Sequence, residues 1–298
     1  MKIGTRGSQL ARWQAEWVRA RLSEQGVRAE LVVIKTQGDA EVDRPLHELE
    51  GTGFFTKEIE DALLDGRIDV AVHSLKDLPT TLPDGLALAA IPRRHDPRES
   101  LVGGTSLSDL APGTRVGTSS LRRIAQVRFM RPDVEIVPLR GNVPTRVRKV
   151  ETGDGLDAAL LAIAGLERLK LGSKASVIDP LDIMPAPGQG ALGIEIRSPD
   201  AATRKALEPL HDAGSAAAVT AERALLAALG GGCQAPVAAH VGSREEGAGS
   251  RLYGRVTAQD GSVQLTASAD MDPRQPEQCG ELVARLLENE GAASLLAR

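Results

Sequence analysis

Strand-like and helix-like segments alternate from the first residues, and this alternation limits the possible folds more than any other feature of the chain. Lys2 to Thr5 reads as a strand, Gln9 to Leu22 as a helix and Ala29 to Ile34 as a strand. A glycine-bearing loop follows, then a helix from Thr56 to Leu64 and strands from Asp69 to His73 and Leu86 to Ile91. The order repeats with strand Arg115 to Gly117, helix Ser120 to Met130, strand Val134 to Pro138, helix Val143 to Val150 and strand Asp157 to Ile163. Strands separated by helices predict parallel α/β sheets. The two series also open alike. Ile3-Gly4-Thr5-Arg6-Gly7-Ser8 and Val116-Gly117-Thr118-Ser119-Ser120 each read as a strand, a Gly-Thr turn and a hydroxyl suited to capping the next helix. Two such lobes face to face would form a cleft lined by helix N-termini, which attract anions.

Pro185 to Gly190 is rich in proline and glycine and leads into a strand from Leu192 to Ile196. It reads as a hinge or crossover, which puts Gln189 and Gly190 at the cleft. From about Ala216 the pattern changes to one helix, strands near Val237, Arg251 to Val256 and Val263 to Ala267, and a helix from Pro276 to Leu287. That is a small α+β third domain, and 298 residues suffice for such a division.

The charge is mildly acidic overall at −4 but unevenly spread. From Thr114 to Val150 there are eight arginines and Lys149 against Asp133 and Glu135, a local excess of 9 − 2 = +7. An acidic protein with one strongly basic third is built to hold an anion. Nucleic acid is a poor candidate, because six aromatic residues in the whole chain supply little base stacking. Small carboxylated or phosphorylated ligands fit better. Two cysteines and five scattered histidines give neither a disulfide framework nor a zinc site. There is no Walker loop and no strand-linked GxGxxG, so neither metal nor nucleotide is expected. No apolar leader is evident and the longest apolar run, Ala158 to Leu166, is too short to span a bilayer. The expectation is a cytoplasmic protein without membrane contact.

Arg122 and Arg123 fall in the first turn of a helix, where the helix dipole disfavours cations. Beside Thr118 and Ser120 they read as an anion pocket, the alternative being a solvated basic face. Arg140 and Arg146 flank a strand end and a helix start. Arg6 follows the first strand, and all could converge on one crevice beyond the carboxyl ends of the strands. Lys76-Asp77 also follows a strand and is either a local ion pair or an acid–base group. Gly230-Gly231-Gly232-Cys233 presents a thiol on a glycine loop. Such a cysteine is either packed or ligand-facing. Cys279 lies on the last helix and reads as packing.

Four of these segments together resemble one family. They are His73-Ser74-Leu75-Lys76-Asp77, Gly117-Thr118-Ser119-Ser120-Leu121-Arg122-Arg123, Leu139-Arg140-Gly141-Asn142 and Gly231-Gly232-Cys233-Gln234. In order and spacing they are similar to the porphobilinogen deaminase (hydroxymethylbilane synthase) family, along essentially the whole chain. The resemblance implies two α/β domains like type II periplasmic binding proteins, with mixed, mainly parallel sheets, and a smaller α+β C-terminal domain. The expected boundaries are 1–93 with 191–212, 98–186, and 215–298. It also implies a monomer and a covalent dipyrromethane cofactor in thioether linkage to Cys233. On that cofactor four porphobilinogen molecules are condensed with loss of ammonia, and hydroxymethylbilane is then released by hydrolysis, a step of tetrapyrrole and heme biosynthesis. Asp77 would be the catalytic carboxylate. Arg6, Arg122, Arg123, Arg140, Arg146 and Arg168 would bind side-chain carboxylates, and Ser8, Lys76, Thr118 and Ser120 would help seat the cofactor. Glu167 beside Arg168 leaves open a surface position for that arginine. Glu48 and Thr52 replace lysines expected in the loop before Phe54-Phe55, which could then act as an apolar lid. The competing reading is a cytoplasmic anion-binding or sensor module sharing the two-lobed fold.

Overall fold

A computed structural model of the chain describes residues 1–36, 56–231, 235–243 and 249–296. Two five-stranded α/β sheets and one three-stranded sheet make three lobes. In lobe 1 the strands are β1 (Lys2–Thr5), β2 (Glu30–Val33), β3 (Val70–Ser74) and β4 (Leu86–Ala90), with helices α1 (Gln9–Glu24) and α2 (Lys57–Leu64). Lobe 2 holds β5 (Glu99–Val102), β6 (Arg115–Gly117), α3 (Leu121–Met130), β7 (Glu135–Val137) and α4 (Val143–Glu151). It is completed by β8 (Ala158–Ala162), α5 (Ile163–Arg168) and β9 (Ala175–Val177). The chain then returns to lobe 1 as β10 (Leu192–Arg197) and α6 (Ala201–Leu207).

The strand orders are β2-β1-β3-β10-β4 and β7-β6-β8-β5-β9. In each sheet four strands run one way and the fourth in order runs against them. That reversed strand is the one arriving from the other lobe: β5 comes from lobe 1 and β10 from lobe 2. The sheets are thus mixed and mainly parallel, as the resemblance implies and as alternation alone does not show. The strand β5 is absent from the sequence reading because Glu99-Ser100 interrupts its apolar character, yet all four of its residues are buried.

The sequence echo corresponds to a structural repeat. A Cβ on Gly4 would lie 2.3 Å from Ile68 Cδ1, and one on Gly117 would lie 2.5 Å from Leu156 Cδ1. Ile68 and Leu156 each stand two residues before the strand paired parallel to the glycine's own. At both positions a side chain occupies the space that a Cβ would enter, so any larger residue would have to displace it. Helix α1 buries Ala11, Ala15, Val18 and Leu22, a helical stripe, and Ser8 caps it by accepting from Ala11 N at 3.2 Å. Ser120 occupies the matching cap position of α3 but makes no cap hydrogen bond.

Lobe 3 packs α7 (Ala213–Ala228) and α8 (Pro276–Asn289) on an antiparallel meander of β11 (Val237–Ser243), β12 (Ser250–Thr257) and β13 (Gln264–Met271), followed by α9 (Ala292–Leu296). Leu225, Leu252, Val256, Val283 and Leu287 form its core. Cys279 is buried there, 3.6 Å from Asp270 O, and burial raises its thiol above the ordinary range. It packs, as its place on the last helix suggested. No helix among the described residues is long and apolar enough to cross a membrane.

Candidate functional site

The site residues lie beyond the carboxyl ends of strands in both large sheets, where open α/β sheets bind ligands. From lobe 1, β3 runs into a single 3-10 turn, Leu75–Asp77. Leu75 is fully buried and anchors the turn, Lys76 is half-buried and Asp77 is exposed. Gln14 of α1 braces the strand end by donating to Ser74 Oγ at 2.8 Å. From lobe 2, α3 begins after β6 and brings Arg122 and Arg123, while Arg140 and Arg146 follow β7. Arg146 donates Nε to Gly141 O at 2.8 Å, and Asn142 caps its helix through Thr145 N at 3.0 Å.

The electrostatics tie the two lobes together. Burial, then the neighbouring cations Arg123 and Arg140, push Arg146 down to about 10, and Asp77 opposes them from across the cleft. Lys76 is pushed down to about 8, first by burial and then by Arg123, with Asp77 and Glu99 pulling the other way. Asp77, Lys76, Arg123, Arg140 and Arg146 therefore share one electrostatic environment, fed from both sheets. Among the described residues no group of side chains could hold a metal ion.

The arginines at the start of α3 are buried, at 5% and 6% exposure, which excludes the alternative of a solvated basic face, and the anion between them is the protein's own Glu99. Arg122 Nη2 meets Glu99 Oε1 at 2.6 Å and Arg123 Nη2 meets Glu99 Oε2 at 2.7 Å. Arg122 also donates to Met184 O, and Arg123 to Leu160 O at 2.9 Å. Burial alone would raise the Glu99 carboxyl, but Arg123 and Arg122 hold it down to about 2. A single carboxylate shared by two guanidinium groups leaves a net positive charge, to which Lys76 adds. Arg123 Nε remains buried without an acceptor among the described residues. The cluster stays cationic, although these two arginines spend much of their hydrogen bonding internally.

Arg168 is not at the surface, the position its neighbour Glu167 left open. It is buried, donates Nη2 to Gly190 O at 2.7 Å and lies 5.7 Å over the Trp13 ring. Desolvation pushes it down to about 10. Gly190 has φ +84, and a Cβ there would lie 2.6 Å from His95 O, so no other residue fits that turn. Gln189 is fully buried and accepts from Lys76 Nζ at 3.0 Å. Thr118 is buried and accepts from Ser120 N at 3.3 Å, so its hydroxyl shapes the turn before α3. Ser8 serves as the cap of α1. Arg6 is half-buried at the end of β1. Cys233, Phe54 and Phe55 lie outside the described residues, as do Glu48 and Thr52.

Sequence reasoning missed Glu99, Arg94 and Glu222. Arg94 donates Nη1 and Nη2 to Glu222 at 2.8 Å each and Nε to Gln189 O at 2.7 Å. Two buried arginines at a helix start are a signal that a counter-anion exists, but nothing local indicates which acid it is.

The family model "Porphobilinogen deaminase, dipyromethane cofactor binding domain" matches residues 1–205, and "Porphobilinogen deaminase, C-terminal domain" matches 216–289. A porphobilinogen deaminase of Syntrophotalea carbinolica is 48% identical over 100% of this chain and 95% of its own. Those of Syntrophobacter fumaroxidans and Moorella thermoacetica are 47% and 48% identical over 99% of this chain, covering 96% and 95% of theirs. Among solved structures, an ancestral cationic amino acid solute-binding protein aligns with 70% of this chain and 87% of its own, at 17% identity and a TM-score of 0.45.

Proposed function

The chain belongs to the porphobilinogen deaminase family, a family of dipyrromethane-bearing transferases of tetrapyrrole synthesis, and on that premise we propose that it is a hydroxymethylbilane synthase. It condenses four porphobilinogen molecules head to tail with loss of ammonia and releases the linear tetrapyrrole by hydrolysis. The observation that carries this reading is the meeting of Asp77, from lobe 1, with a cationic set from lobe 2.

The donor set suits a polycarboxylate. Arg146 forms no guanidinium hydrogen bond among the described residues beyond the one from Nε. Lys76 and Arg146 are held below their ordinary values by burial and by other cations. Such groups gain when carboxylates arrive. Acetate and propionate side chains of pyrroles supply them. In this reading Arg6, Arg140 and Arg146 grip the side-chain carboxylates of the dipyrromethane and of the incoming substrate, and Lys76 seats the cofactor next to Asp77. The buried cluster of Arg122, Arg123 and Glu99 forms the cationic floor. The dipyrromethane, when bound, supplies the free pyrrole carbon on which the chain is extended.

Asp77 carries the acid–base work. Its carboxylate accepts from the aminomethyl nitrogen of porphobilinogen. It stabilises the positive charge left on the substrate as the carbon–nitrogen bond breaks and ammonia departs with the electron pair. Cys233 is the attachment point, whose sulfur would hold the dipyrromethane as a thioether. Intact mass spectrometry tests this. The expected mass exceeds that of the 298-residue chain by a dipyrromethane, the excess is absent in Cys233→Ser, and a bare mass in active wild-type protein would refute the attachment.

A further inference from the structure

Gln189 stands where the two crossovers between the large lobes touch. The outgoing crossover carries Arg94 and Pro97, between β4 and β5, and the returning one carries Gln189 itself, before β10. Its backbone N–H donates to Ala186 O at 2.9 Å, and its other polar groups go three ways. The backbone oxygen accepts from Arg94 Nε at 2.7 Å, the side-chain nitrogen donates to Pro97 O at 2.8 Å, and the side-chain oxygen accepts from Lys76 Nζ at 3.0 Å. A proline carbonyl can only accept and an ammonium can only donate, so the orientation of the amide is dictated by its partners. A carboxylate of the same length would face the Pro97 carbonyl without a proton to give. An apolar side chain would leave both partners unmatched.

We propose that Gln189 is a positioning residue for the reaction: it aims the Lys76 ammonium into the cleft beside Asp77, so that the packing of the two crossovers sets where that cation stands. This rests on the reading above that the chemistry occurs at the strand end carrying Lys76 and Asp77. The charged groups around Lys76 are Asp77 from its own turn and Glu99, Arg122 and Arg123 from lobe 2. They pull in opposite senses. Gln189 is the uncharged acceptor, fixed to the backbone of both crossovers, and among the described residues it is the hydrogen-bond partner of Lys76. Arg94, which holds the Gln189 carbonyl, is in turn fixed by Glu222 of α7. Lobe 3 is therefore two hydrogen-bonded contacts from Gln189 and three from Lys76.

The test uses the full-length cofactor-loaded protein, with Gln189→Glu and Gln189→Met as variants. Trace acetylation with acetic anhydride, read at the Lys76 peptide by mass spectrometry as a function of pH, gives the titration midpoint of Lys76 without any turnover. Gln189→Glu should raise that midpoint by about one unit or more, since it adds an opposite charge at hydrogen-bond distance. Gln189→Met should lower it. The alkaline limb of porphobilinogen consumption should move in the same direction as the midpoint in each variant. A purely structural role would reduce the rate at every pH and leave the limb in place. Unmoved Lys76 midpoints in both variants, or moved midpoints with an unmoved limb, overturn the positioning role alone. A wild-type protein that consumes no porphobilinogen sinks the reading above, and this proposal with it.

Discussion

Arg94 and Glu222 meet in a two-bond ion pair, Nη1 to Oε1 and Nη2 to Oε2, at 2.8 Å each, with the Glu222 side chain wholly buried. The pair joins the outgoing crossover to lobe 3. Glu222 also accepts from Gly188 N at 2.8 Å and Val241 N at 2.9 Å, so one carboxylate gathers both crossovers and a strand of the third sheet. Glu222→Ala should cost about 3–5 kcal/mol, because it strands a buried guanidinium as well as two amides. Urea unfolding measures it, and a loss below about 1 kcal/mol would mean that lobe 3 is held by other contacts.

Glu99 makes stability depend on acid. Its folded value of about 2 lies below the ordinary 4.5, so its contribution is present above 4.5 and disappears as pH falls through about 2. The difference corresponds to roughly 3 kcal/mol at neutral pH. Glu99→Gln should therefore be less stable than wild type at neutral pH, with the gap closing in strong acid. An equal gap at both ends would remove the charge as the cause.

Glu60 behaves in the opposite sense. It is buried in α2, and burial followed by the nearby carboxylate of Glu195 raises its value, while Thr56 and His73 oppose the rise. Glu195 in turn lies 3.2 Å from His73 Nε2. A raised folded value means that the Glu60 contribution is full below the ordinary carboxylate range and lost as pH rises through the raised value. Glu60→Gln should accordingly gain stability relative to wild type as pH increases. Melting temperatures of both proteins in mildly acidic and mildly alkaline buffer decide it, and a constant difference would rule the titration out.

The arginines should separate by role. Arg146→Leu should fold with near wild-type stability, since its guanidinium makes one backbone hydrogen bond among the described residues, yet fail to build or extend the polypyrrole. Arg122→Leu should fail too, but with a stability loss of about 3 kcal/mol or more, because Glu99 and Met184 O lose a partner. Asp77→Asn should fold normally and lose nearly all turnover. Thermal melts beside product assays discriminate these, and an Asp77→Asn protein retaining most of its rate would end the acid–base assignment.

Much of this architecture is written locally in the chain. The stripe Ala11, Ala15, Val18 and Leu22, the cap Ser8 and the apolar run Val70 to Val72 each announce their element through short-range periodicity, and the structure places them where that periodicity does. The matched glycines Gly4 and Gly117 disclose the internal repeat, because in both lobes a neighbouring side chain fills the space a Cβ would take. The reversed strands could not be read this way. Whether β10 lies between β3 and β4, and in which sense, depends on pairing across more than a hundred residues. The same limit applied at the site. Sequence alone singled out Lys76-Asp77, the arginine-rich third and the crossover at Gln189-Gly190, because charge and turn chemistry are local properties. Only the tertiary structure brought Glu99 between Arg122 and Arg123, set Arg168 on Trp13 and Gly190, and linked Glu222 through Arg94 to Gln189. Buried charges must find partners, but the partner is chosen by which backbone passes within about 3 Å, and a one-dimensional pattern does not contain that proximity.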